Sequence, residues 1–83
     1  MNLIIGSRHI TPDAITRTAT GVEAVLHGAA LVSLLDAAFH GAGTIEILGG
    51  DLDRRRMEVT GIEMHGRQTR VTLAAVGAGQ RLN

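Results

Sequence analysis

The chain has one aromatic side chain, Phe39, and no cysteine among its 83 residues. A domain of this length buries only about 60% of the surface that its unfolded chain exposes, so small domains usually rely on disulfides, metals or association. Without cysteine, disulfides and thiolate metal sites are excluded. Aliphatic side chains must therefore form the core, and we expect a homodimer or a higher oligomer to complete it.

The composition predicts a single folded domain. Hydrophobic residues make up 45% of the chain, and eight acidic residues balance eight arginines, so the chain is not of the disordered class. Zero net charge argues against a nucleic-acid partner held by a basic surface. No apolar segment approaches the ~18 residues of a membrane span, and residues 1–6 lack the features of a signal peptide. We therefore predict a cytoplasmic protein with no nucleic-acid or membrane partner, and the use of arginine without lysine indicates a bacterial or phage source.

Residues 29–40 carry the clearest signal of secondary structure. Five apolar residues recur at helical spacing in this segment, namely Leu31, Leu34, Leu35, Ala38 and Phe39. The pattern predicts a helix that ends at the glycines of residues 41–43. It also places Phe39 on the core side, where its replacement by alanine would cost ~3–5 kcal/mol of stability.

The segment before the helix allows two interpretations. Alternation of threonine with other residues from Ile15 onward favours a strand, whereas Thr20 and Glu23 have the spacing of a helix capping box. We prefer a strand through about Val25 and a break at residues 27–28. Residues 11–13 form a turn or a brief helix start, because Pro12 suits the first position of a helix.

The segments after the helix read as strands. Residues 44–48 form one strand, and residues 57–64 form another with a bulge at Gly61, which would bring its apolar residues to one face. A two-residue turn at residues 65–66 leads into a return strand over residues 68–76, and residues 77–79 close the chain. The order predicts an α+β domain in which a single central helix, about residues 29–40, packs on an antiparallel sheet.

Asp36 is the candidate catalytic group of the helix. Its neighbours Leu34, Leu35 and Phe39 would partly desolvate the carboxylate, and a desolvated carboxylate suits general-base or nucleophilic work. The other interpretation is structural, with Asp36 on the polar side of the helix and paired with His40 at i+4. Spacing alone favours the structural interpretation.

The segment from His27 to Phe39 resembles a known family. It is similar to the hot-dog-fold thioesterases of the phenylacetate-pathway type, where a His-Gly-Gly turn opens the central helix and an aspartate follows nine positions after the histidine. His27 and Asp36 have this separation. Three later segments resemble family motifs in the family's order, namely residues 44–48, 50–52 and 66–69. The resemblance spans residues 27–82, about two thirds of the chain.

The resemblance implies a curved antiparallel sheet around one helix, dimerisation, and hydrolysis of acyl-CoA or similar thioesters without a cofactor. Asp36 would be the general base or the nucleophile. The amides of Gly28 and Ala29 would polarise the thioester carbonyl, and His27 would shape the turn.

Other candidate groups indicate no chemistry of their own. The four histidines are dispersed along the chain, so we expect no metal site. Arginines 54–56 stand beside acidic residues and read more simply as a charge-balanced loop than as a phosphate-binding group. A second hypothesis therefore stays open: a non-catalytic oligomeric assembly subunit, for example a phage or bacterial structural module that associates through a sheet edge.

Overall fold

One helix packs against a sheet of seven antiparallel strands in residues 1–41 and 43–76, the part of the chain that the computed structural model describes. Residue 42 and the predicted chain end at residues 77–79 lie outside the described residues. The elements, in chain order, are β1 (Asn2–Ile5), β2 (Arg8–Ile10), β3 (Ala14–Arg17), β4 (Gly21–Leu26), α1 (Gly28–His40), β5 (Ile45–Leu48), β6 (Arg56–His65) and β7 (Gln68–Ala75). This confirms the predicted α+β class, with the single helix laid on an antiparallel sheet in a hot-dog-like arrangement.

The sheet order is β2-β1-β5-β6-β7-β4-β3. All its pairings are antiparallel. Four of them join strands that are consecutive in the chain, whereas β1–β5 and β4–β7 join strands that are distant in sequence. Within the described residues, β2 and β3 are the two edges of the sheet, since each pairs with one strand there. A short 3-10 turn, Gly50–Leu52, connects β5 to β6 and buries Leu52.

The core is aliphatic, as the composition required. Its largest fully buried side chains come from the sheet and from one helix position: Leu3, Leu26, Leu34, Ile47, Leu73, Val22 and Val71. Burying each such side chain contributes roughly 1.5–3 kcal/mol, an upper estimate against an extended unfolded chain.

The segment over residues 14–26 is a hairpin rather than one strand. β3 and β4 are joined by a turn at residues 18–20, where the Thr18 amide donates to the Gly21 carbonyl over 2.8 Å. The capping-box interpretation of Thr20 and Glu23 is wrong, because Gly21 begins a strand pressed against β7. A Cβ on Gly21 would lie 1.8 Å from the carbonyl oxygen of Leu73, so only glycine fits. Residues 11–13 form neither helix nor strand.

The hairpin of β6 and β7 confirms the predicted bulge. The register shifts between Val59 and Gly61, so that Val59 pairs with Leu73 while Ile62 pairs with Val71. The apolar residues of β6 on either side of Gly61 therefore share one face. The turn lies one residue later than predicted: His65 pairs with Gln68, leaving residues 66–67 as the loop, because a two-residue loop favours glycine at its first position.

The position of Phe39 corrects the sequence-based prediction. Phe39 is 64% exposed, whereas the helix buries Leu34 and Ala37. At 100° per residue, Phe39 lies about 200° around the helix axis from Ala37 and so faces outward. Leu31, Leu35 and Ala38 pack at the margin of the core. The helix ends as predicted, with Gly41 in a left-handed conformation and its amide donating to the carbonyl of Asp36.

Candidate functional site

His27 stands at the junction between β4 and α1. Its backbone is extended, with φ −152° and ψ 165°, and its side chain makes no capping hydrogen bond to the helix. Gly28 follows with φ 60° and opens the helix. The first amides of a helix have no partner within it, so those of Gly28 and Ala29 can donate to an acceptor carrying negative charge. The strand-turn-helix junction at residues 26–28 agrees with the predicted break.

The His27 ring is held by a residue that the sequence reasoning missed. Nδ1 of His27 lies 2.6 Å from Oδ2 of Asp13. Asp13 is fixed in turn, because its amide donates to the Val25 carbonyl over 2.8 Å and Nε2 of Gln68 lies 3.4 Å from the same Oδ2. The register of the β3–β4 hairpin is the feature that indicates this contact. Because Ala14 pairs with Val25, Asp13 lies beside the end of β4, next to His27.

A shallow open depression borders His27. It is lined by His27, His65, Arg67 and Gln68, from the helix start and the β6–β7 turn. A smaller depression beside it is lined by Val25 and Arg70 together with His65 and Gln68. His27 therefore borders an accessible, polar surface at this end of the sheet.

Asp36 lies elsewhere on the molecule. It is exposed, and no ion pair joins it to His40 within residues 1–41 and 43–76. Eight residues at ~1.5 Å each place Asp36 about 12 Å along the helix from Gly28. The structure therefore brings together His27, Gly28 and Ala29, and separates Asp36 from all three within one chain.

Asp36 shares the outer face of the helix with exposed apolar side chains. Val32 is 57% exposed and Phe39 64% exposed, and the spacings from Val32 to Asp36 and to Phe39 are i+4 and i+7. Ala29 extends the same face toward the helix start. A carboxylate thus lies between two large apolar groups on a face that the described residues leave uncovered.

A groove of about 370 Å³ runs between the second half of the helix and the sheet. Its helix wall includes Ala38 and Phe39, and its sheet side includes Ile45, Met57 and Val59. This volume falls at the lower end of the range of small-molecule sites. Farther along the same face of β6, Ile62 and Met64 are 41% and 78% exposed.

Ion pairs balance the charged loop after β5. Arg54 lies 3.7 Å from Glu46, and Nε of Arg17 lies 3.2 Å from Oδ1 of Asp51. The Arg17 hydrogen bond lowers the pKa of Asp51 from its ordinary value of 3.8. Among the described residues, no three side chains of histidine or acidic type converge as metal ligands.

No family model, curated protein or solved structure matches the chain. None of the helices in the described part of the chain is both long and apolar enough to cross a membrane.

Proposed function

We propose that the protein hydrolyses acyl thioesters of the acyl-CoA type at an interface between two copies of the chain. Asp36 of one copy acts as general base or nucleophile. The Gly28 and Ala29 amides of the other copy hold the carbonyl oxygen, where negative charge develops in the transition state. No cofactor takes part.

The observation that carries this proposal is the position of Asp36 between Val32 and Phe39 on the outer helix face. A second copy that covered both apolar side chains would enclose the carboxylate and remove water from it. Loss of water disfavours the charged form, which is how active sites prepare a carboxylate to accept a proton or to attack a carbonyl.

An interface between two copies also overcomes the distance within one copy. The ~12 Å between Asp36 and the helix start is too long for both to act on one carbonyl group. Consider two antiparallel helices related by a two-fold axis that passes beside residues 32 and 33. Asp36 of one copy is then opposite the partner subunit's Ala29, because each is three and a half residues from the axis. The groove beside Phe39 borders this interface and is of a size for an acyl group.

The test is an assay of the hydrolysis of short, aromatic and long acyl-CoA thioesters, in which the release of free thiol is measured. We expect turnover by the wild type and a loss of at least about 100-fold in Asp36→Asn, with unchanged oligomeric size by light scattering. Asp53→Asn is the matched control. Oδ1 of the exposed Asp53 accepts a hydrogen bond from the Gly49 amide over 2.5 Å, and the asparagine side chain retains an oxygen that can accept the same bond. Absence of turnover across the whole panel would exclude the proposal.

Two features favour the second candidate, a non-catalytic assembly subunit. Along one side of the edge strands β2 and β3, the backbone groups have no partner strand among the described residues, so another chain can pair with them. Ile62 and Met64 add exposed apolar surface on β6. This candidate predicts a ring or filament larger than a dimer, together with no thioester turnover.

A further inference from the structure

The Asp13–His27 pair has no role in the function proposed above. The carboxylate of Asp13 can only accept hydrogen bonds when ionised, so the 2.6 Å contact requires Nδ1 of His27 to donate. A neutral imidazole with its proton on Nδ1 carries its lone pair on Nε2. The pair therefore fixes both the orientation and the tautomer of the ring.

Two further hydrogen bonds position Asp13. Its backbone amide donates to the Val25 carbonyl, and Nε2 of Gln68 lies 3.4 Å from its Oδ2, while Pro12 before it is buried. Nε2 of His27 has no hydrogen-bond partner within the described residues, and His27 borders the open depression shared with His65 and Arg67. An oriented lone pair thus stands at an accessible surface.

His27 and the proposed carbonyl-binding amides belong to one turn. His27 directly precedes Gly28 and Ala29, and consecutive Cα atoms are 3.8 Å apart, so a carbonyl bound by these amides would lie at the turn that carries the ring. Asp36 reaches the same place only from a second copy. The two groups therefore approach one carbonyl from different subunits.

We propose that Asp13 is a positioning residue for His27, whose Nε2 accepts the proton of the hydrolytic water. This inference rests on the proposed thioester hydrolysis, and it leaves the nucleophilic role to Asp36.

The reaction has two stages. The Asp36 carboxylate adds to the acyl carbon, the C–S bond breaks, and the sulfur leaves as a thiolate. Water then loses a proton to Nε2 and adds to the acyl carbon of the anhydride, which releases the carboxylic acid and the free Asp36 carboxylate. The departing thiolate takes a proton from solvent water, and the imidazolium later returns its proton to the solvent, which balances the two transfers.

Rapid-mixing assays of thiol release separate this role from a structural one. We expect His27→Gln to release about one thiol per site in a burst and then to turn over 10²- to 10⁴-fold more slowly than the wild type. Asp13→Ala should show the same burst with a smaller loss, and the double variant should be no slower than His27→Gln alone, because the two residues act as a unit. His9→Gln on β2 is the matched control and should behave as the wild type.

Nitrogen-15 spectra of the histidine rings give a readout that needs no activity. In the wild type the neutral His27 ring should carry its proton on Nδ1, and Asp13→Ala should shift that tautomer toward Nε2–H. A wild-type ring protonated on Nε2, or one unaffected by Asp13→Ala, overturns the positioning role even if thioesters are hydrolysed.

The kinetic outcomes decide the catalytic role separately. If His27→Gln shows neither a burst of thiol nor later thiol release, His27 is not the base of the water step. Full activity of that variant would also overturn the assignment. An inactive wild type removes the proposed function and the catalytic use of His27 together, while the tautomer still decides whether Asp13 positions the ring.

Discussion

The guanidinium of Arg17 joins two parts of the sheet that three strands separate. Arg17 ends the edge strand β3, and its Nε lies 3.2 Å from Oδ1 of Asp51, in the turn after β5. Nη1 of the same side chain donates to the Gly21 carbonyl over 3.0 Å. One arginine therefore ties the β3–β4 turn to the loop between β5 and β6.

This ion pair predicts a pH-dependent difference between the wild type and Asp51→Asn. Arg17 lowers the pKa of Asp51 below 3.8 in the folded state, so folding favours the ionised carboxylate. Its contribution to stability is present above the unfolded-state pKa and is lost as the pH falls through the folded-state pKa. Urea unfolding at pH 7 should show Asp51→Asn to be the less stable protein, and the difference should vanish in strong acid.

Salt and a second variant control the measurement. Both side chains are solvent-accessible, so high salt should shrink the difference at pH 7. Glu58→Gln removes an exposed carboxylate that has no ion pair among the described residues, and it should not reproduce the effect. An Asp51→Asn deficit that stays constant down to pH 2 would contradict the assigned cause.

Gly21→Ala should be the most disruptive small substitution in the sheet. The added Cβ would lie 1.8 Å from the Leu73 carbonyl oxygen, and β4 can accept it only by moving away from β7. We expect a loss of about 3 kcal/mol or more in the free energy of unfolding, enough to unfold much of a marginal domain. Gly61→Ala is the matched control, because its Cβ would make ordinary contact with Thr72 at 3.6 Å. Equal stabilities of the two variants by urea unfolding would refute the steric argument.

Phe39→Ala should cost little stability within one chain. Because the ring is 64% exposed, its removal leaves no internal cavity, and we expect a loss below about 1 kcal/mol in dilute protein. Leu34→Ala, at a fully buried position of the same helix, should lose about 2–5 kcal/mol. If the ring is covered by a second copy, Phe39→Ala should also weaken association in sedimentation experiments. A loss of 3 kcal/mol or more at concentrations where the protein is monomeric would place the ring in a core after all.

Local periodicity accounts for what the sequence predicted. The helix and the β6–β7 hairpin with its bulge at Gly61 follow from spacings of two to four residues within one segment. The face of the helix that is buried did not follow, since α1 has apolar residues over a broad arc and the sheet decides which of them it covers. Phe39 was misplaced for that reason.

Pairing between distant residues accounts for the features that were missed. The division of residues 14–26 into β3 and β4 depends on a turn without a strong glycine or proline signal, and on the approach of Gly21 to Leu73. The contact of Asp13 with His27 depends on the register of that hairpin. A candidate site assembled by strand register cannot be found from the spacing of His27 and Asp36 alone.

The two candidate interfaces can be separated by single cysteines, since the chain has none of its own. Antiparallel helices centred beside residues 32 and 33 bring Val32 close to the partner subunit's helix, within the short Cα separation that a disulfide needs. Val32→Cys should therefore form a covalent dimer on mild oxidation, visible on a non-reducing gel. Met64→Cys, at a more exposed position on β6, should stay monomeric on the gel. The reverse pattern would indicate that the copies meet through β6, which leaves Asp36 uncovered and favours the assembly subunit over the thioesterase.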